Sequence, residues 1–88
     1  MNIQQYKSHV ASLGCMACRL LGYGETPASL HHPRAGQGAA QRASDWLVIP
    51  LCHEHHQGKN GIHGHGFESM TGLTEMDLLA ATIEAMNK

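Results

Sequence analysis

A long hydrophobic run is missing from this 88-residue chain. Its longest apolar stretch, Trp46 to Cys52, falls far short of the roughly 20 residues a bilayer-spanning helix needs. No membrane-spanning segment is expected. The first residues, MNIQQYKSHV, lack the basic segment and apolar stretch of a secretory signal, and a cytoplasmic protein is expected. Charge is scarce too. Charged residues make up 15% and the formal net charge is −1, which excludes strong, sequence-blind electrostatic binding of nucleic acid by the chain alone. The cysteines do not form an even set. Three are present, whereas a disulfide framework needs pairs and an oxidising compartment. An apolar fraction of 42% argues against wholesale disorder.

A chain this short is expected to form one domain, residues 1–88, with a modest core that a metal staple would supplement. What it has in abundance is histidine: eight residues, five of them between His53 and His65. The charges that exist are unevenly spread. Arg34, Arg42 and Lys59 lie mid-chain, while Glu68, Glu75, Asp77 and Glu84 crowd the C-terminal end.

Ile3, Tyr6, Val10 and Leu13 recur at helical spacing behind a potential Asn2 cap, which predicts a helix over 2–13. A tight Cys-x-x-Cys turn follows at 14–19, then a glycine and proline loop over 22–28. SLHHP at 29–33 and WLVIPL at 46–51 predict strands, the second carrying Pro50 at an edge or bulge. The small and polar residues between them form a connection with a helical turn at 39–43. HEHHQGK after Cys52 predicts a short helix, a glycine loop occupies 58–66, and a helical turn starts at Phe67. Thr74 and Asp77 form a capping box for a final helix over 74–86, whose stripe of Leu73, Met76, Leu79, Ile83 and Met86 reads as core or a dimer face. The order is strand, loop, strand, helix, flanked by helices: an α+β fold.

Two constellations carry chemistry. Cys15 and Cys18 have the spacing of a zinc knuckle, and Cys52-x-x-His55 supplies a second pair. Four such ligands close a tetrahedral structural zinc site (Zn²⁺). His53 and His56 are alternatives for the fourth ligand. The competing readings are buried apolar cysteines or a redox pair. A redox Cys-x-x-Cys follows a strand and opens a helix, and here a predicted helix precedes it. The second constellation is His31-His32 with His56. Adjacent strand residues point to opposite faces, so His31 and His56 can hold a second divalent ion while His32 faces elsewhere. That ion would contact the scissile phosphate. His32, with an ordinary pKa of about 6.5, would take a proton from the attacking water. Arg34, Arg42 and Lys59 would contact DNA phosphate. Alone, the His pair would read as a polar strand edge.

The set His31-His32, Pro50-Leu51-Cys52 and His55-His56 resembles the HNH (ββα-metal) endonuclease superfamily. More narrowly, the run from Gly14 to Gly72 resembles the RecA-dependent nuclease family of phage recombination-enhancement proteins. The resemblance implies a small ββα-metal core with a structural zinc, flanked by N- and C-terminal helices. It implies a metal-dependent DNA endonuclease of phage or prophage origin that uses Mg²⁺ or another divalent ion and depends on a RecA–ssDNA filament. It implies His32 as general base, His31 and His56 as ligands of the catalytic metal, and Cys15, Cys18, Cys52 and His55 as the zinc set. It also draws attention to His63, which is read either as an exposed loop residue or as a contact to metal or substrate. Leu47 stands where the superfamily has its asparagine, and Asp45 is the nearest polar residue to orient the base. No long basic N-terminal stretch is present, so weak DNA affinity without a partner is expected. His9, His53 and His65 read as surface residues, and Trp46 as core rather than a base-stacking platform. The alternative function is a non-catalytic zinc module that binds DNA or protein. A redox or metal-storage protein ranks last.

Overall fold

The computed structural model describes residues 1–33, 44–58, 61–64 and 66–88. Among them the chain forms α1 (Ile3–Ser12), α2 (Met16–Leu20), β1 (Ser29–His31), β2 (Ile49–Leu51), α3 (His53–His56), α4 (Phe67–Thr71) and α5 (Glu75–Met86). It is a small α+β structure whose described strands make one two-stranded antiparallel sheet. Ser29 faces Leu51, Leu30 faces Pro50, and His31 faces Ile49.

The helix ends follow their capping chemistry. Asn2 accepts the Gln5 amide at 2.9 Å and the Gln5 side chain accepts the Asn2 amide at 3.0 Å. Two otherwise orphaned donors at the start of α1 are thereby satisfied. Thr74 and Asp77 exchange the same pair of bonds at α5 (2.9 and 3.0 Å), as their spacing predicts. The Thr74 amide holds the Asp77 carboxyl below its ordinary pKa. α4 closes at Gly72 with φ 74°, the left-handed region that glycine enters without steric cost.

Four expectations need correction. The Cys-x-x-Cys segment is not only a turn: Cys15 caps α2, its Sγ accepting the Cys18 amide at 3.4 Å. Both strands are shorter than expected: β1 ends at His31, and β2 starts only at Ile49, because Ser44 bonds the amides of Trp46 (3.2 Å) and Leu47 (2.9 Å) and holds them in a turn. Trp46 is therefore not core. It is 47% exposed and its ring tilts against Tyr6 with centroids 4.8 Å apart. Finally, α5 buries Leu78, Leu79 and Thr82, while Met76 (61% exposed) and Ile83 (39%) face outward. Two stripes one residue apart overlap at Leu79. The buried one wins because Thr82 returns its hydroxyl to the Leu78 carbonyl at 2.8 Å, which satisfies the polar atom inside the core. The expected helical turn at 39–43 lies outside the described residues.

The core gathers Met16 and Ala17 from α2, Ile49 and Leu51 from β2, Phe67 from α4 and Leu78 and Leu79 from α5, together with Cys15, Cys18 and Cys52. Among the described residues no helix is long and apolar enough to cross a membrane.

Candidate metal centres

Among the described residues two groups of ligand-type side chains converge, each with its ligand atoms within 4.8 Å of one another: Cys15, Cys18, Cys52 and His55, and His31, His56 and His63.

The first group is assembled at three chain corners. Gly14 takes φ 77°, a conformation costly for other residues, and so turns Cys15 under the 22–28 loop, where its amide bonds the Thr26 carbonyl at 2.8 Å. Cys18 follows one turn on. Cys52 caps α3 as the chain leaves β2, and His55 lies within that helix. His55 Nδ1 lies 3.5 Å from Cys15 Sγ, 3.4 Å from Cys18 Sγ and 3.3 Å from Cys52 Sγ, with Cys18 and Cys52 Sγ 3.9 Å apart. A tetrahedron with Zn–S of about 2.3 Å and Zn–N of about 2.0–2.1 Å has S···N edges of about 3.6 Å and S···S edges of about 3.8 Å. The donor set therefore fits zinc in both chemistry and spacing. Of the three histidines open as fourth ligand, His55 is the one that meets the sulfurs. His53 is exposed, and His56 turns to the second group.

All three thiols are free and buried. Burial pushes Cys15 up from 9.0 to about 11, so a thiol proton must leave when a metal enters. Cys15-x-x-Cys18 does open a helix, but it follows α1 rather than a strand, and a third thiol and an imidazole share its space.

The second group is a triangle of imidazoles. Ring centroids are 5.1 Å apart for His31–His56 and 5.0 Å for both His31–His63 and His56–His63. His31 comes from the end of β1 and is 2% exposed. His56 ends α3 and lies 3.3 Å through Nδ1 from the Ser29 hydroxyl. Ser29 shares the strand face of His31, two residues along. Burial, and then the neighbouring His31, His63 and His53, push the His56 pKa below its ordinary value. His56 thus keeps the neutral lone pair that metal ligation needs. His63 reaches the group on an exposed loop, so the triangle is closed on the His31 side and open on the other.

Gly61 makes that loop path feasible. A Cβ there would lie 2.9 Å from the His56 carbonyl group and 3.0 Å from the Glu54 oxygen. Both are backbone atoms that cannot rotate away. Gly61→Ala is expected to destabilise the chain by about 1–3 kcal/mol, read as a lowered melting temperature, and to weaken metal binding at the triangle.

His32, the residue after His31, has its Nε2 2.8 Å from Asp45 Oδ1, so the aspartate singled out as orienting group does meet the histidine. Sequence reasoning missed Glu75, whose Oε2 lies 2.7 Å from His31 Nε2. Its only sequence signal was membership of the acidic C-terminal stretch. Arg34, Arg42, Lys59 and His65 lie outside the described residues. His9 is exposed, as expected, and Leu47, at the asparagine position and within the expected strand, is exposed as well.

Compared with known families, the chain matches the one described as recombination enhancement, RecA-dependent nuclease, over residues 3–87. No curated protein and no solved structure matches it.

Proposed function

The chain belongs to the RecA-dependent nuclease family, and from that premise we propose that it is a DNA endonuclease with an HNH-type ββα-metal core, residues 1–88 acting as one cytoplasmic nuclease domain. The observation that carries this reading is the convergence of His31, His56 and His63 on one another, with the next residue in the chain, His32, bonded to Asp45.

His31, His56 and His63 hold a divalent ion in this reading. When bound, that ion supplies Lewis-acid stabilisation of charge on the phosphate and the departing 3′ oxygen. Imidazole ligands suit zinc, nickel, iron or copper better than Mg²⁺. Asp45 accepts the His32 Nε2 proton, since a carboxylate has no donor of its own. That leaves the His32 Nδ1 lone pair to take the proton of the attacking water. Arg34, Arg42 and Lys59 contact DNA phosphates. Cys15, Cys18, Cys52 and His55 hold a structural zinc, which fixes the start of α3 and so aims His56. The near-zero net charge leaves DNA capture to a partner, and a RecA–ssDNA filament fills that role.

The test is cleavage of supercoiled plasmid with added Mg²⁺ or Mn²⁺, with and without RecA–ssDNA filaments. Metal-dependent nicking that rises with the filament is expected. One tightly held zinc and no nicking under any of these conditions would leave a non-catalytic zinc module. Asp45→Asn sharpens the assignment. An asparagine amide carries a donor as well as an acceptor and no charge, so it neither fixes the Nε2–H tautomer of His32 nor stabilises the ring once it has taken the proton. Cleavage should fall about 100-fold or more, with zinc content and melting temperature unchanged.

A further inference from the structure

The geometry points to Glu75 as a positioning residue for the histidine metal centre, one that selects which nitrogen His31 presents to the ion and partly neutralises the bound charge. This rests on the reading of the triangle as a metal site. An acidic residue in the first turn of a helix has an ordinary explanation, since it complements the helix dipole. Glu75 does more than that. Its carboxylate reaches 2.7 Å to Nε2 of a histidine that is almost wholly buried. Glu75 is itself held in place, because the Thr74–Asp77 capping box fixes the backbone on either side of it.

The consequence follows from donor inventory. A carboxylate only accepts hydrogen bonds, so His31 donates through Nε2–H and its Nδ1 carries the lone pair. A neutral imidazole has one such lone pair, and an ion at the triangle must meet it. Metal-bound histidines that donate their second nitrogen to a carboxylate gain a fixed tautomer and a more basic ligand atom. Three imidazole ligands bring no negative charge to a divalent ion, so its charge at the triangle would be uncompensated by them. Glu75 supplies one negative charge against His31. Through this contact the C-terminal helix, remote in sequence from β1, becomes part of the metal centre.

The test uses the full chain carrying one equivalent of zinc. Long-range ¹H–¹⁵N correlation spectra report the His31 tautomer, with His31→Gln identifying its signals. Nε2–H is expected in the wild type and a mixture in Glu75→Ala. An Nδ1–H tautomer in the wild type would overturn the proposal. Calorimetric titration with Co²⁺ provides the second readout. Glu75→Ala should weaken Co²⁺ binding by about 10- to 100-fold. Glu75→Gln, whose amide oxygen still accepts Nε2–H, should recover part of the loss. Asp77→Ala is the control, because it removes the acceptor of the Thr74 amide at the same helix start without touching His31. An equal loss of affinity in Asp77→Ala would show that only helix docking matters and would sink the idea. None of these readings requires cleavage, so a chain that bound Co²⁺ through this arrangement yet cut no DNA would fail the nuclease reading alone.

Discussion

Replacing His32 with alanine lowers DNA cleavage by about 10²- to 10⁴-fold while zinc content and fold remain as in the wild type. That range is what a general base contributes, and it corresponds to about 3–5 kcal/mol of barrier. The fold survives because the His32 side chain is only partly buried and its bond goes to Asp45 in a surface turn, not to the core. The metal survives because the triangle uses His31, His56 and His63. His31→Ala provides the contrast. It removes a buried ring from the triangle, so bound divalent ion and cleavage should be lost together. Metal analysis and a nicking assay on the two variants therefore separate proton transfer from metal binding at adjacent residues. Cleavage at the wild-type rate by His32→Ala would remove His32 from the mechanism.

What could be read from the sequence was local. Cys15 and Cys18 lie in one turn, Cys52 and His55 in another, and ligand spacing alone pairs them, because a four-residue turn can offer two donors to one ion. The adjacency of His55 and His56 was similarly informative: neighbours on a helix start diverge, and here one meets the sulfurs while the other meets His31. The division of His31 from His32 followed from strand alternation. What could not be read depended on the path of the chain. Glu75 meets His31 across 44 residues, and no spacing rule links the start of a C-terminal helix to a strand end. His63 stayed ambiguous because a glycine loop has no period. The close approach of Gly61 to the α3 backbone, and the Ile62 amide bonded to the His55 carbonyl at 2.8 Å, bring it back to His56. α5 offered two apolar stripes, and packing on the cysteine-rich core, not composition, chose the one with Leu78 and Leu79. The Trp46 strand was lost to a serine turn that hydropathy does not register.

Replacing Cys52 with serine should abolish both the zinc and the cooperative melt. Cys52 occupies the corner where β2 ends and α3 begins, and its Sγ lies within reach of Cys18 and His55 at 3.9 and 3.3 Å. It belongs to one buried cluster with the other two thiols, Leu51, Phe67 and Leu78, so the metal site and the hydrophobic core are the same region. A structural zinc contributes about 10–16 kcal/mol of apparent binding free energy in zinc-finger peptides, whereas a whole domain is stable by about 5–15 kcal/mol. In a chain of 88 residues the staple is therefore comparable with all the net stability available. Elemental analysis should find one zinc fewer per chain, and far-UV circular dichroism should show a broad, non-cooperative loss of helix. Chelation of the wild type should reproduce that curve, and adding zinc back should reverse it for the wild type but not for Cys52→Ser. His56→Ala gives the comparison that matters for function. It removes the ring next to the zinc ligand, so it should cost the second ion and cleavage while the zinc and the melting transition stay. A Cys52→Ser chain that kept its zinc and melted near the wild-type temperature would refute the staple, and with it the claim that the cysteine site is what aims His56 at the triangle.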